Sequence, residues 1–387
     1  MTLRTLALVA MLAIGQAAAS PAYAFEPEDD VSDAKPAKTS EWTHQAYGPG
    51  RTAFNEAEKT LTLKNISGLK QKWAFESNGG TAPTAADGLI FLGEGSAVYA
   101  RKQSNGYSAW SREMNNTVRV PPAVVDGVVY VAPSGPIVYA LNAKTGKVKW
   151  KAKGAGAQGF GNASPLVTNG RVYVGANDGK LYAFDAADGS KLWSAKTTGA
   201  AIISPPAYGN GLVFVASDTS VYAFDAEKGK LAWTYKMSDG GPAFAVAVSK
   251  ARVYVPAGRS LVALGAKTGE LLFSVKAIGA DASIATAPAV TSKYVVFRDG
   301  NTIRAVKAKT GAGVWNTYAT RLSSVTPSIA NGVVYADNYS ALAAYDLETG
   351  SYVKGVTVGP MTSPTVADGT VFVSGGTGYG LAAFSVP

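Results

Sequence analysis

A unit of about 40 residues recurs along most of the chain, and this repetition restricts the possible folds more than any other feature. The unit is clearest in Val138–Trp150, Leu181–Trp193 and Val221–Trp233, each of which combines a Tyr-Ala step with a glycine and a closing tryptophan. The glycine recurs at Gly106, Gly146, Gly189, Gly229, Gly269, Gly311 and Gly350, so successive copies are 39 to 43 residues apart. A fixed period in this range predicts a repeat architecture.

Each unit divides into four strand-like segments separated by turn residues. In one unit, a turn at Asn169-Gly170 precedes the apolar segment Arg171–Val174, and the segments Leu181–Asp185 and Lys191–Ala195 follow. Four short antiparallel strands in ~40–45 residues are typical of one blade of a β-propeller.

The sequence predicts eight such blades. Seven units are complete, and they open at Pro83, Pro122, Pro165, Pro206, Val246, Pro288 and Pro327. The eighth opens at Pro364 and stops at Phe384 without a fourth strand, whereas Lys70–Phe75 has the pattern of an unpaired fourth strand. Pairing the two would close the ring and leave no free sheet edge. We therefore expect an all-β, eight-bladed β-propeller of four-stranded antiparallel blades, in which an N-terminal strand completes the last blade.

The N-terminal region differs from the repeats. An apolar run at Leu6–Ile14 and small residues around Ala24 predict a secretory signal peptide over residues 1–24. That run is shorter than the ~20 residues that a membrane span needs. Residues 25–41 are acidic and polar, which predicts a disordered leader, and residues 42–387 form the predicted single propeller domain. The expected location is the periplasm or the outside of a bacterial cell, without a lipid anchor.

The side-chain inventory excludes several kinds of chemistry. The chain has no cysteine, so disulfides, thiolate metal sites and a lipidated N-terminal cysteine are excluded. His44 is the single histidine, which argues against histidine-rich metal sites and most Ser-His-Asp triads, and it is a candidate general base. The net charge of +9 combines an acidic leader with a basic remainder. Such a charge fits either simple solubility or attraction to an anionic polymer or surface.

Fixed spacing identifies residues with a structural role. An aromatic residue follows the repeat glycine by four positions in six of the units. We expect it to pack between blades rather than to stack on a cofactor or a nucleic-acid base. These residues are Trp110, Trp150, Trp193, Trp233, Phe273 and Trp315.

Variable spacing identifies the surface on which a binding site is expected. Alternate connections of an antiparallel blade emerge on opposite faces, so the turns of constant length share one face and the connections of variable length share the other. Binding residues commonly lie on loops that a rigid scaffold presents. The candidates on the variable face are Asn116, Arg119, Phe160, Asn162, Asn177, Asp178, Asp218, Arg259, Arg298, Asp299, Arg321, Asp337 and Asn338, with Tyr339 as a further aromatic anchor. Some of them, such as Asn177-Asp178, are also ordinary turn residues.

Two patterns carry a resemblance to a known family. The unit Val/Leu-Tyr-Ala-Leu/Phe-Asn/Asp-Ala-x-x-Gly-x-x-x-Trp, preceded by Ser-Pro-x-Val-x-Asn-Gly-x-Val-Tyr-Val, resembles the repeat of pyrroloquinoline-quinone (PQQ) enzymes over roughly residues 70–387. The segment from Trp42 through Asn55 to Trp73 resembles the start of many exported proteins of that family. The resemblance implies an eight-bladed, quinoprotein-like propeller.

The resemblance leaves two branches open. Quinoprotein alcohol and glucose dehydrogenases hold PQQ and Ca²⁺ over the channel. Here Asp178, Asp218, Asp299 and Asp337 offer oxygen ligands of the kind that Ca²⁺ prefers, but none of them matches a catalytic motif. The adjacent-cysteine disulfide of many such enzymes cannot form. BamB-type propellers of the outer-membrane barrel-assembly machinery bind a partner through loops without a cofactor; this chain is similar in size but has no lipobox cysteine.

We therefore expect an exported, soluble and non-enzymatic propeller that binds a protein or cell-envelope ligand through its variable face. We expect a monomer without a cofactor, a nucleic-acid partner or a membrane span. One alternative is a PQQ- and Ca²⁺-dependent dehydrogenase of alcohols or sugars. The other is a protein that binds an extracellular polysaccharide or a surface.

Overall fold

The computed structural model describes residues 40–387, except 77–78, 157, 161–162, 199, 239–240, 242, 279–281, 285, 320–324 and 376–379. Eight four-stranded antiparallel units follow one another along the chain, and the innermost strand of each contacts the innermost strands of its two neighbours. The predicted eight-bladed β-propeller is confirmed. The predicted signal peptide and residues 25–39 of the predicted leader lie outside the described residues.

Each blade is numbered in chain order, and its strands run from the centre to the rim. Blade 1 comprises Thr84–Ala86, Leu89–Glu94, Ala97–Lys102 and Ser108–Glu113. Blade 2 comprises Ala123–Val125, Val128–Val131, Ile137–Asn142 and Val148–Lys153. Blade 3 comprises Leu166–Thr168, Arg171–Gly175, Lys180–Asp185 and Lys191–Lys196. Blade 4 comprises Ala207–Gly209, Leu212–Ser217, Ser220–Asp225 and Leu231–Lys236.

The second half of the ring repeats this order. Blade 5 comprises Ala247–Ser249, Arg252–Ala257, Ser260–Gly265 and Leu271–Lys276. Blade 6 comprises Ala289–Val290, Tyr294–Asp299, Thr302–Lys307 and Gly313–Tyr318. Blade 7 comprises Ser328–Ala330, Val333–Asn338, Ala341–Asp346 and Tyr352–Thr357. Blade 8 comprises Thr365–Ala367, Thr370–Ser374, Leu381–Ser385 and the N-terminal strand Lys70–Phe75.

The N-terminal strand closes the ring as predicted. Lys70–Phe75 pairs antiparallel with Leu381–Ser385, with Lys70 opposite Ser385 and Phe75 opposite Leu381. A separate short strand, Phe54–Asn55, runs parallel to the innermost strand of blade 7. The 3₁₀ turn Ile66–Gly68 is the one helical segment among the described residues, and none of these residues forms an apolar helix of membrane-spanning length.

The core lies between neighbouring blades. In the middle strands of blade 3, the residues between the strand ends are buried on both faces of the sheet because each face packs against another blade. In the outer strand Lys191–Lys196, only every second residue is partly buried. This difference explains why the middle strands are continuous apolar runs in the sequence, whereas the outer strands alternate.

A repeated contact between an aromatic ring and a glycine joins successive blades. Trp193 of blade 3 lies against Gly229 in the outer hairpin of blade 4, where an added Cβ would lie 2.6 Å from the indole. The Trp193 Nε1–H also donates to the carbonyl oxygen of Ala226 in that hairpin, at 3.2 Å. The same ring and hydrogen-bond contacts occur at the pairs Trp110–Gly146, Trp150–Gly189, Trp233–Gly269 and Trp315–Gly350. These aromatic residues therefore fix one blade against the next at five junctions of the ring.

One junction keeps the contact with a different donor. Phe273 of blade 5 lies against Gly311 of blade 6 but has no N–H group to donate. The hydroxyl of Tyr254 donates instead to the carbonyl oxygen of Ala308, at 2.8 Å. The backbone acceptor that the tryptophans use elsewhere thus remains satisfied.

The junction between blades 7 and 8 has no such contact. Lys354 stands at the aromatic position of blade 7. The outer strand of blade 8 is Lys70–Phe75, so blade 8 has no outer hairpin in which a glycine could receive a ring. Leu61, Ile66 and Leu69 are buried instead in a core cluster that includes residues of blades 7 and 8.

Residues 42–55, which we call the inner belt, follow the inner edge of the ring. Their backbone oxygens accept from the N–H groups of Ala85, Val124, Tyr208, Val248, Val290 and Ile329, at 2.7–2.9 Å. In blade 3, Val167 N–H donates to His44 Nε2 at 3.1 Å, and in blade 8 Asn55 Nδ2 donates to the Val366 oxygen at 2.8 Å. All eight blades thus contact the belt at the second residue after their opening residue. The belt supplies partners to the inner strand edges, which need them because each strand edge carries free polar groups.

The ring-to-glycine contact predicts a large difference between two similar glycines of blade 4. Gly229 has φ +67° and would place a Cβ 2.6 Å from Trp193, whereas Gly211 has φ +74° and open space around it. We expect Gly211→Ala to cost about 1 kcal/mol, through backbone strain alone, and Gly229→Ala roughly 2–4 kcal/mol, through strain and overpacking. Urea unfolding of both variants measures the difference. Equal losses of stability would contradict the docking role of Trp193.

Candidate functional site

The variable connections emerge together on what we call the loop face. They comprise the hairpins between the second and third strands and the segments that lead from one blade to the next. Asn116, Arg119, Asp218 and Arg259 are exposed on this face. These candidates from the sequence are therefore accessible.

Three further candidates are partly buried, and two of them hold loops in place. Asn177 Nδ2 donates to the backbone oxygens of Gln158 and Phe160, at 2.8 and 3.2 Å. Asp178 accepts from the Tyr182 hydroxyl at 2.7 Å and from the Lys180 N–H at 3.1 Å. Asn338 is also partly buried. Asn162 and Arg321, the remaining loop candidates, lie outside the described residues.

Phe160 does not lie on the exposed surface. Its side chain is 1 % exposed and packs edge-on against Tyr182 and Phe184. An aromatic ring in a glycine-rich loop can fold back into the adjacent blade, and the sequence pattern did not distinguish this from outward projection. Phe160 is therefore a core residue.

Arg298, Asp299 and Asp337 are also buried, which corrects their assignment to the exposed face. Arg298 Nη2 lies 2.6 Å from Asp337 Oδ1 and joins blades 6 and 7. Asp299 Oδ2 pairs with Arg304 at 2.5 Å and accepts from the Ile278 N–H at 2.9 Å. A buried charge needs a partner, and each of these charges has one within the ring, although Arg298 Nε, Arg298 Nη1 and Asp299 Oδ1 form no hydrogen bond among the described residues. Arg298 and Asp337 join two blades, and Asp299 holds the connection between blades 5 and 6 through Ile278.

Large apolar side chains are exposed on one half of the loop face. Ile203, Phe244 and Ile278 lie in three successive inter-blade connections and are 38, 39 and 51 % exposed. Tyr318, at the end of the outer strand of blade 6, and Tyr339, in blade 7, are 65 and 66 % exposed. We call these five residues the apolar arc. Sequence reasoning identified only Tyr339, because Ile203, Phe244 and Ile278 stand in connections that do not repeat and Tyr318 ends an outer strand.

Tyr339 has an unfavourable backbone conformation. Blades 1, 4, 5, 6 and 7 join their middle strands by hairpins of equal length, and the first turn residue has φ between +53° and +61° in each. Glycine occupies this position three times, as Gly95, Gly258 and Gly300, and Asp218 occupies it once. Only blade 7 has a large side chain there, Tyr339 at φ +61°. Such strain in a bulky residue is uncommon and tends to occur at functional sites.

A cavity of about 140 Å³ lies where the inter-blade connections enter the innermost strands. Trp42, Gln45 and Arg51 of the inner belt line it, together with Phe244 of the apolar arc and Thr286. The cavity is therefore continuous with the exposed apolar surface.

Two buried basic residues of the belt have strongly shifted pKa values. Burial, aided by the nearby Arg51 charge, lowers the pKa of His44 from 6.5 to about 3. His44 is therefore neutral at pH 7, and its Nε2 receives the Val167 N–H, so it is unsuited to act as the general base that the sequence suggested. Burial lowers the pKa of Arg51 to about 9, so its guanidinium stays charged at neutral pH. Sequence reasoning missed Arg51, which is 2 % exposed.

The described residues around the cavity do not fit PQQ and Ca²⁺. None of the described residues that line it is an aspartate or a glutamate. No group of three acidic, histidine or cysteine residues suited to a metal occurs in the described part of the chain. The volume of 140 Å³ is also below the ~300–1,000 Å³ typical of sites for organic ligands and cofactors. We derive no cofactor chemistry for this site.

The repeat and the ring define a PQQ-repeat β-propeller. A family model described as "Outer membrane protein assembly factor BamB" matches residues 42–200, 156–248 and 236–386, and the chain belongs to this family. A search of curated protein sequences finds no match.

Solved structures share the fold at low sequence identity. Quinohemoprotein alcohol dehydrogenase from Comamonas testosteroni has a TM-score of 0.75 at 14 % identity, covering 90 % of this chain and 81 % of its own. BamB from Moraxella catarrhalis has a TM-score of 0.67 at 16 % identity, covering 82 % of this chain and 97 % of its own. The computationally designed Ika8 protein has a TM-score of 0.70 at 15 % identity, covering 82 % and 100 %. At these identities the similarity concerns the fold alone.

The buried histidine predicts a specific pH dependence of stability. Because the pKa of His44 is about 3 in the folded protein and about 6.5 when unfolded, only the unfolded chain takes up this proton between those values. Stability is fully present above pH 6.5 and falls as the pH drops toward 3, by about 1.4 kcal/mol per unit from this group.

Replacing the histidine isolates this contribution. We expect the free energy of unfolding of His44→Gln to fall less steeply than that of the natural protein between pH 6.5 and 4.5, by about 1.4 kcal/mol per pH unit. Denaturant unfolding at several pH values measures both slopes, and the buried carboxylates contribute equally to each protein. Parallel curves would show that His44 does not remain neutral.

Proposed function

We propose that this protein is an exported, non-enzymatic propeller that binds a partner protein of the cell envelope through its loop face. The predicted signal peptide at residues 1–24 supports export to the periplasm or the outside of the cell. The description of the family, an outer membrane protein assembly factor, supports a partner among the proteins that assemble outer-membrane proteins. In this proposal the protein acts as a monomer and binds neither nucleic acid nor PQQ.

The strained position of Tyr339 is the observation that carries this proposal. Backbone strain persists where something compensates for it, and glycine at three equivalent positions forms the same turn without it. Tyrosine is among the residues that most often dominate binding energy at interfaces. A tyrosine that is 66 % exposed in a strained turn is well explained as an anchor for a partner.

The surroundings of Tyr339 fit the same role. The other members of the apolar arc, Ile203, Phe244, Ile278 and Tyr318, are exposed on the same half of the loop face. An apolar centre on a face that also exposes charged residues, such as Arg259, has the composition of a protein-binding surface.

Replacing Tyr339 with the residue found in equivalent turns tests the proposal. We expect Tyr339→Gly to leave the free energy of unfolding unchanged or raise it by up to about 1 kcal/mol, because it relieves the strained φ. We expect it to reduce capture of the partner from solubilised envelope proteins about tenfold or more, as loss of an interface anchor does.

A matched control uses a tyrosine on the opposite face. Tyr107, in the outer hairpin of blade 1, is 63 % exposed, and Tyr107→Ser should leave capture unchanged. The proposal fails if Tyr339→Gly captures partners as well as the natural protein does.

A thermal-unfolding experiment tests the dehydrogenase alternative. A ligand at 100 times its dissociation constant stabilises a protein by ~2.7 kcal/mol, which moves the unfolding midpoint visibly. We expect no shift with Ca²⁺ alone, PQQ alone or both together. A shift that requires both would favour a quinoprotein enzyme.

A further inference from the structure

The cavity on the loop face contains a buried positive charge that no carboxylate neutralises. Arg51 Nε donates to the Pro206 oxygen at 3.0 Å, Nη1 to the Gln45 oxygen at 2.9 Å, and Nη2 to the oxygens of Ser164 and Pro165 at 3.1 and 2.8 Å. None of the three ion pairs among the described residues involves Arg51. The carbonyl groups orient the guanidinium and accept from four of its five N–H groups, but they leave its charge uncompensated.

Two other polar groups that line the cavity have no hydrogen-bond partner among the described residues. Thr286 is 4 % exposed, and its Oγ1 forms no hydrogen bond. The side-chain oxygen of Gln45 is buried and receives no donor. Rotation of the side-chain amide by 180° exchanges its oxygen and nitrogen, so Gln45 can present its NH₂ group to the cavity equally well. Buried polar atoms without partners are costly, and an occupant that bonds to both would remove that cost.

An anion with hydrogen-bond acceptors matches these groups. It would neutralise Arg51 and accept from the Thr286 hydroxyl and the Gln45 amide. The volume of 140 Å³ limits the occupant to a small group, since it is less than half of the ~300 Å³ at the lower end of sites for organic ligands. Phe244, Val246 and Pro205 add apolar surface to a wall that also includes Thr326, Ser328, Ser363 and Thr365, so an anion on a hydrocarbon stem would find apolar contacts for the stem.

We propose that this cavity binds a carboxylate group carried on an apolar stem. The inference rests on the proposed function for the source of the group, namely the C-terminal carboxylate of a partner's extended segment. Phe244 belongs to both the cavity and the apolar arc, so a segment bound across the arc reaches the cavity with its end. A small carboxylic acid has the same chemistry and is the other source that the experiment must distinguish.

The test measures the binding of three probes by the full protein, using calorimetry and thermal unfolding. The probes are N-acetyl-Ala-Ala-Val with a free carboxylate, the same peptide as its C-terminal amide, and butyrate. We expect the free acid to bind and to raise the unfolding temperature, and the amide to bind at least tenfold more weakly. Tighter binding of the peptide than of butyrate supports a partner's terminus, whereas equal binding identifies a site for small carboxylic acids.

Two isosteric variants locate the site. Thr286→Val keeps the volume and removes the unpartnered hydroxyl, and we expect it to weaken binding of the free acid about tenfold. Thr117→Val changes an exposed threonine on the same face that does not line the cavity, and it should have no effect. Arg51 is not replaced, because its loss would leave four belt and blade carbonyls without a donor.

The results separate this inference from the proposed function. Equal binding of acid and amide, or unchanged binding by Thr286→Val, would overturn the carboxylate site even if Tyr339→Gly abolishes partner capture. Binding that is selective for the free acid and lost in Thr286→Val would support the site even if Tyr339→Gly captures partners normally.

Discussion

The contact between an indole side chain and a hairpin glycine determines how the blades of this propeller are arranged. Each contact positions one blade against the next in two ways. The indole fills the space that a Cβ on the glycine would occupy, and its Nε1–H group donates to one backbone oxygen of the neighbouring hairpin. Trp193 with Gly229 and Ala226 is representative. Since the same contact recurs at most junctions, small variations in the rest of each blade do not alter the arrangement of the blades around the propeller. The connections on the loop face are therefore free to differ in length and composition.

The inner belt gives the two faces of the propeller different properties. It supplies hydrogen-bond partners to the innermost strands of all eight blades. It also places the charged side chain of Arg51 among carbonyl groups beside the cavity. Trp42 and Gln45 of the belt line the same cavity. The segment that completes the scaffold thus also forms part of the candidate site, and the exposed apolar residues adjoin it on the loop face.

Much of the fold could be predicted from the sequence, because the repeat makes seven internal comparisons available. The spacing of glycine to tryptophan predicted the inter-blade aromatic residues, and the missing strand after Phe384 predicted the pairing with Lys70–Phe75. The candidate site was less predictable. Polarity suggested exposure for Arg298 and Asp337, which instead pair with each other in the interior. Arg51 and the neutral His44 belong to a segment that occurs once, so no repeat indicated their contacts.

The placement of the chain's two ends has a consequence for the order of folding. Asn55 forms a hydrogen bond with Val366, which lies 311 residues further along the chain. The outer strand of blade 8 comes from the N-terminal part of the chain, whereas its other three strands come from the C-terminal part. Closing so long a loop costs conformational entropy before any contact compensates for it, which slows folding. Each single blade can form from local hairpins as the chain is synthesised. The completed ring, and with it the cavity and the exposed apolar surface in their final arrangement, can exist only after the last blade has been made.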